Sequence, residues 1–385
     1  MRKTSVVRLA IPIAIGALVL SGCGGGGDSG TTYKIAYQGP LSGSNPALGE
    51  NMQQGIQLAI EEANESGDYD FEIEYLAADD EGEEGAAPAA AQIAIGDPDV
   101  MAVIGPAFSG PSNASLPLYG EAGLAAVTTS ATLPALTEDE EHSSFLRAVP
   151  DDNAQGPAMA QFLAAQDGVE NVMVIDDVTA YGEGLAEVVV SSLEEEGLTV
   201  QRESVPQSEQ DYSGAARTVV RSGVDALVYA GYYQDLGPFA SQLADAGFDG
   251  IGVSGDGSND DEFINLAGDA SEGWYLTCPC TSATDDEATT EFAERYEEAY
   301  GEAPGTYSAE SYDVANMIIE TIASLQDDVN RESVLEALTG AQFEGLTKTF
   351  SFDENGELAE QVIYLYQVDG GQRGYLGPVE ELVGG

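Results

Sequence analysis

The chain has 385 residues, 43 % of them hydrophobic, which is enough for more than one sizeable core and excludes a disordered acidic tail. Its 68 acidic residues face only 12 basic ones, for a net charge of −56, so nucleic acid and anionic lipid headgroups are excluded as partners. The acids are scattered over helix faces, which predicts a solvated surface adapted to high salt, where counterions screen self-repulsion.

Residues 1–23 read as a targeting segment outside the fold. Arg2, Lys3 and Arg8 make a basic start, and residues 9–20 an apolar stretch too short to span a bilayer comfortably. Leu20-Ser21-Gly22-Cys23 resembles a bacterial lipobox, which implies cleavage before Cys23 and a lipidated cysteine as the new N-terminus. An ordinary secretory signal is the alternative. Residues 24–32 are glycine-rich and fit a flexible tether. No later stretch is long and apolar enough to span a membrane, so the body is expected outside the cytoplasm, anchored to the outer face of the cell membrane through lipid alone.

From residue 33 onward, strand-like and helix-like stretches alternate. Residues 33–38 read as a strand, 47–64 as a helix, 71–77 as a strand and 85–95 as an alanine-rich helix. A buried strand follows at 100–104, closed by Gly105 and Pro106. The turn Ala107-Phe108-Ser109-Gly110 then opens onto a helix expected to begin at Pro111 and Ser112. Such a turn sets backbone N–H groups and the Ser109 hydroxyl at a helix N-terminus, where an anion is favoured. The same pattern recurs one unit later: a strand at 124–128, then Thr129-Ser130-Ala131-Thr132, with a helix expected at Leu133-Pro134. Two hydroxyl-bearing turns at neighbouring strand ends make one cradle for a small carboxylate.

A crossing point is expected at 147–150, after which alternation restarts with helices at 154–166, 181–196, 212–222 and 234–246 and strands at 171–176, 198–205, 226–229 and 250–254. Two such runs predict an α/β protein of two doubly wound parallel-sheet domains. Long helices at 287–300 and 307–325, and a shorter one at 331–339, form the tail. Residues 348–352 and 361–367 read as a closing hairpin around Asp353-Glu354-Asn355-Gly356. The run Asp353-x-Asn355-x-Glu357 looks like a calcium loop but lacks the distant glutamate such a loop needs, so it reads as a turn. Cys278 and Cys280 flank one proline. Either a local disulfide or a pair of thiols fits.

Several of these runs together resemble the branched-chain amino-acid binding proteins of ABC importers, within the type I periplasmic-binding-protein group. The resemblance rests on Gly39-Pro40-Leu41-Ser42-Gly43, Ile104-Gly105-Pro106-Ala107-Phe108-Ser109 and Thr129-Ser130-Ala131-Thr132. Asp177 to Gly184 with its Tyr181-Gly182-Glu183-Gly184, then Gly231-Tyr232-Tyr233 and Ala267 to Gly273, carry it through the second half. It implies a Venus-flytrap of two lobes joined by three crossings, one lobe of 33–149 with 279–349 and the other of 150–278 with 350–380. It also implies a site. Ser109 and Thr132 would bind the ligand α-carboxylate, and the backbone around Ser130 and Ala131 would meet the α-ammonium. Asp256 would pair with the ammonium, one methylene shorter than the glutamate common in the family. Tyr232 would assist it, and Tyr181 would close over the ligand. Leu48, Ala107 and Phe108 would surround its side chain. The implied function is capture of one small amino acid, branched-chain or otherwise aliphatic, between the two lobes, and its delivery to an ABC permease by a monomer needing no cofactor or metal. Urea, short amides or another amino acid are alternative cargoes, and a ligand-sensing lipoprotein is an alternative role. An enzyme is disfavoured: one histidine, His142, leaves nucleophilic triads and multi-histidine metal sites little to work with.

Overall fold

The computed structural model describes residues 30–138, 142–208, 211–284, 289–340 and 342–384. Cys23, its lipobox, most of the tether and the expected helix start at residue 287 lie outside the described residues.

The first sheet is built from β1 (Thr31–Gly39), α1 (Pro46–Ser66), β2 (Phe71–Asp79), α2 (Ala87–Gly96), β3 (Val100–Ile104), α3 (Ser109–Ala122), β4 (Ala125–Thr128) and β5 (Phe145–Arg147). Its five strands run in the order β2-β1-β3-β4-β5, all parallel. β3 and β4 are buried along their whole length, as a strand covered by helices on both faces must be. β1 starts at Thr31 rather than at residue 33, because its pairing with β2 continues to Thr31–Phe71.

The second sheet follows from α4 (Asp152–Ala164), β6 (Asn171–Asp176), α5 (Ala180–Glu195), β7 (Thr199–Ser204), α6 (Ser213–Ser222), β8 (Ala226–Ala230), α7 (Tyr233–Ala246), β9 (Ile251–Ser254), α8 (Asp261–Ala267) and β10 (Tyr275–Cys278). The sequence reading assigned neither α8 nor β10. Both are short, and the small residues from Gly268 to Gly273 break the alternation between them.

The tail divides between the two sheets. Of α9 (Thr290–Tyr300), α10 (Ser308–Leu325) and α11 (Arg331–Thr339), α10 packs along α1 and α11 lies against β3. Arg331 fixes that return by donating to the carbonyls of Val100 (3.0 Å) and Asp97 (2.7 Å). β11 (Gln342–Glu344) and β12 (Thr349–Ser351) form a separate two-stranded sheet. β13 (Tyr364–Asp369) and β14 (Gln372–Pro378), followed by α12 (Val379–Val383), complete the second sheet in the order β14-β13-β10-β9-β8-β6-β7.

The closing hairpin is therefore not the expected one. β12 pairs with β11, and a single bridge, Phe352 to Leu358, spans the 353–357 turn. The hairpin joins β13 to β14 at Gly370-Gly371, whose φ of 62° and 73° suits the two-residue turn that glycines favour. Asp353 does make a turn: its Oδ1 accepts from the backbone N–H groups of Asn355 (2.8 Å) and Glu357 (3.0 Å). Cys278 and Cys280 are joined as a disulfide at the end of β10.

Burial pushes the carboxyls of Asp80, Asp177 and Asp313 up from 3.8 to about 6. The folded chain thus holds protons that the unfolded chain releases between those values. Stability from these groups is fully present below 3.8 and lost as pH rises through 6. Relief of acidic self-repulsion acts in the same direction. The melting temperature in molar salt is expected to be higher at about pH 5 than at about pH 7.5. A melting temperature that falls on acidification over that interval would contradict these assignments.

Candidate functional site

The candidate site lies where the carboxyl ends of parallel strands from both sheets face each other, the usual ligand position in open α/β sheets. From the first sheet come the turns after β3 and β4. Gly105 has φ 109°, and a side chain there would strike the Gln38 carbonyl, so the chain can turn sharply out of β3 only with glycine. α3 begins at Ser109, two residues earlier than expected, and Phe108 is its N-cap. After β4, the expected helix is only a 3₁₀ turn at Pro134–Thr137.

Seven of the ten sequence-predicted residues line one narrow cleft: Leu48, Phe108, Ser109 and Ser130 from the first sheet's side, Tyr181, Tyr232 and Asp256 from the second. Met52, Gly257 and Tyr307 complete it. Its enclosed volume is about 10 Å³, room for about one water molecule, so the facing side chains nearly fill it and a ligand needs them to part. Ala107, Ala131 and Thr132 sit behind this lining. The Ala107 carbonyl accepts from Ser130 Oγ (2.6 Å), and Ala131 N–H donates to Thr128 Oγ1 (3.0 Å). Thr132 is fully buried, and its hydroxyl has no hydrogen-bond partner.

Asp256 is the centre of the second sheet's contribution and is 3 % exposed. Its Oδ1 accepts from Tyr181 Oη (2.8 Å) and Gln155 Nε2 (3.0 Å), and its Oδ2 from Tyr307 Oη (2.8 Å). Its own backbone N–H adds a further interaction with the carboxyl. Burial raises the Asp256 pKa, and the hydroxyls of Tyr307 and Tyr181 and the amide of Gln155 pull it back down. Burial holds the hydroxyls of Tyr181, Tyr232 and Tyr307 neutral, far above their usual range.

Aromatic rings close the cleft. Phe108 packs at a tilt against Tyr232 at 4.5 Å between centroids, and Tyr232 likewise against Tyr181 at 4.9 Å. Gly257 is required beneath them, since a Cβ there would come within 2.8 Å of the Tyr181 ring. The two sides also touch directly: Ala47 N–H donates to Tyr233 Oη (3.1 Å), and Asn51 Nδ2 to Asp260 Oδ2 (2.9 Å).

Sequence reasoning missed Tyr307, Met52 and Gln155. The sequence places Tyr307 at the first position of a helix; it is instead the N-cap of α10, with φ 67° in the left-handed region, and its hydroxyl reaches Asp256. Its left-handed backbone has no local sequence signal. A wider depression of about 540 Å³ is lined by Asp151, Gln161, Glu357 and Glu380 among others. Among the described residues, no group of His, Cys, Asp and Glu is arranged to hold a metal ion, and no helix is long and apolar enough to cross a membrane.

Two α/β units with strand ends facing one narrow cleft, walled by aromatic rings around a buried carboxylate, have the form of a two-lobed ligand-binding protein. The chain belongs to the periplasmic binding protein family, whose model matches residues 32–373. It is 27 % identical over 353 residues to the leucine-, isoleucine-, valine-, threonine- and alanine-binding protein of Pseudomonas aeruginosa, covering 91 % of this chain and 94 % of that one. Among solved structures, the leucine binding protein LivK of Thermotoga maritima superposes with a TM-score of 0.82 at 29 % identity, over 90 % of this chain and 98 % of that one. The branched-chain amino acid transporter substrate binding protein LivJ of Streptococcus pneumoniae, solved with isoleucine, gives 0.82 at 26 % identity, over 90 % and 100 %. The resemblance and the α/β flytrap fold read from the motifs are borne out, and these relatives are binding proteins rather than enzymes.

Proposed function

We propose that this chain is an extracytoplasmic solute-binding protein, anchored through lipidated Cys23, that captures one aliphatic amino acid and presents it to an ABC permease. The observation that carries the reading is the opposition, across one small cleft, of a hydroxyl cradle and a buried carboxylate ringed by tyrosines. A zwitterion needs O–H and N–H donors at one end and an anionic acceptor at the other, in a site that excludes water. Ser109 and Thr132 serve the carboxylate end in this reading, helped by backbone N–H groups. The backbone around Ser130 and Ala131 meets the ammonium, together with Asp256 and Tyr232. Leu48, Met52, Phe108 and Ala107 shape the side-chain end, and Tyr181 covers the whole.

The lobes in this reading are 33–149 with 279–349 and 150–278 with 350–380, and a bound ligand favours closure because only it bridges both. The named cargo of the relatives, leucine, isoleucine and valine above all, supports an aliphatic side chain. A monomer without a cofactor suffices for this role.

A thermal-shift screen in molar KCl tests it. Leucine, isoleucine or valine at a hundred times its dissociation constant adds about 2.7 kcal/mol to the folded state and raises the melting temperature accordingly. A rise with urea or a short amide, and none with any amino acid, would favour the alternative cargo. The cradle has its own test. Ser109→Ala combined with Thr132→Val is expected to weaken leucine by about 10- to 100-fold and leucinamide much less. Equal losses for both ligands would mean the cradle is elsewhere.

A further inference from the structure

The first N–H groups of a helix have no partner within the helix, and a side chain at the N-cap commonly supplies one. α4, α5, α8 and α11 are capped in this way by their own Asp151, Thr179, Asp260 and Asn330. α1 and α7 are not: neither N-cap side chain, Asn45 or Tyr232, bonds to its own helix. These two helices begin beside the cleft, which Leu48 of α1 and Tyr232 line from opposite sides.

Each helix is capped by the other. The N–H of Gln234, second residue of α7, donates to Asn45 Oδ1 (3.2 Å). The N–H of Ala47, second residue of α1, donates to Tyr233 Oη (3.1 Å), and the Asn45 N–H to Gln234 Oε1 (3.1 Å). Asn45 is buried and holds φ 54° and ψ 46°, a left-handed conformation that asparagine tolerates better than most residues with a side chain. Further along α1, the bond from Asn51 to Asp260 ties the same two sides together.

Two helix N-termini brought together set like partial charges against each other. The three oxygens between them, Asn45 Oδ1, Gln234 Oε1 and Tyr233 Oη, turn that repulsion into attraction. None of these three residues lines the cleft. When the two sides separate, the same N–H groups must turn to water. A bond made in only one of two conformations shifts the equilibrium toward it by the difference it makes.

We infer that α1 and α7 cap each other across the cleft, and that Asn45, Tyr233 and Gln234 are positioning residues that hold the lobes together without touching the ligand. This rests on the two-lobe, amino-acid reading above and deepens it. Closure is common to every ligand, so these residues set affinity through the population of the closed form and leave the choice of side chain alone.

The test has two arms, both in molar KCl. Calorimetry compares the wild type, Asn45→Gly and Asn45→Asp with leucine and with valine. Glycine keeps the left-handed backbone and removes the cap, and aspartate puts an acceptor back in its place. Asn45→Gly is expected to bind both ligands about 3- to 10-fold more weakly, by the same factor, and Asn45→Asp to bind them as the wild type does. Small-angle scattering without ligand then compares the wild type with Asn45→Gly combined with Tyr233→Phe, which removes the Oη that meets Ala47. The double variant is expected to have the larger radius of gyration. Equal radii, unequal losses for leucine and valine, or no rescue by aspartate would overturn the mutual capping and leave the amino-acid reading intact. A wild type that binds neither ligand would overturn that reading, and the scattering arm would still decide the capping.

Discussion

Asp256→Asn is expected to weaken leucine binding by about 3 kcal/mol, roughly a hundredfold or more, with the fold intact. The substitution keeps the shape of the side chain and removes its charge. In the wild type, three neutral donors already point at this carboxylate: the hydroxyls of Tyr181 and Tyr307 and the amide of Gln155. They hold it in place at the cleft. An asparagine would turn one end into a donor and set it against a tyrosine hydroxyl or the Gln155 amide. The ligand ammonium would lose its ionic partner inside a site from which water is largely excluded. Calorimetry reads the loss of affinity, and a thermal melt of the unliganded variant reads the fold. Unchanged affinity would remove Asp256 from the ligand contacts.

The second large effect concerns stability. Arg147 is fully buried at the end of β5 and spends every donor. Nε donates to both carboxyl oxygens of Glu357 (3.1 and 3.0 Å) and Nη2 to Oε1 (2.8 Å). Nη1 donates to the carbonyls of Ala131 (2.8 Å) and Leu133 (2.9 Å). One side chain thus pins the cradle turn to the 353–357 turn, which follows β12. Arg147→Ala strands Glu357 and two buried carbonyls, and is expected to destabilise the protein by about 3–5 kcal/mol. That corresponds to a melting temperature lower by about 10 °C. Ligand affinity should fall as well, because Ala131 and Thr132 lose their anchor. A fall of less than about 1 kcal/mol, the range of an exposed pair, would show that the bridge does not hold the turn.

How far the sequence reveals this site depends on the distance between partners along the chain. Ser109 and Ser130 are legible because each sits in a turn directly after a buried strand, and strand and turn are local signals. Asp256 and Tyr232 follow β9 and β8 in the same way. Tyr307 reaches Asp256 from 51 residues further on, and Glu357 reaches Arg147 across 210, so neither contact has a local trace. The tail shows the same limit. Its three helices are legible from their periodicity, whereas β12 and β13 read as one hairpin because both flank a true turn at Asp353. What decides their pairing is the free edge of β10, which takes β13 antiparallel, and the Gly370-Gly371 turn beyond it.

The most direct measurement is a calorimetric titration of the body from Asp28 onward, in molar KCl, against leucine, isoleucine, valine, phenylalanine, alanine, glutamate and urea. The account predicts one-to-one binding of an aliphatic amino acid with a dissociation constant on the order of micromolar, worth about 8 kcal/mol, and no heat from urea. Binding of urea with silence from every amino acid would contradict it, because Asp256 would then have no ammonium to hold.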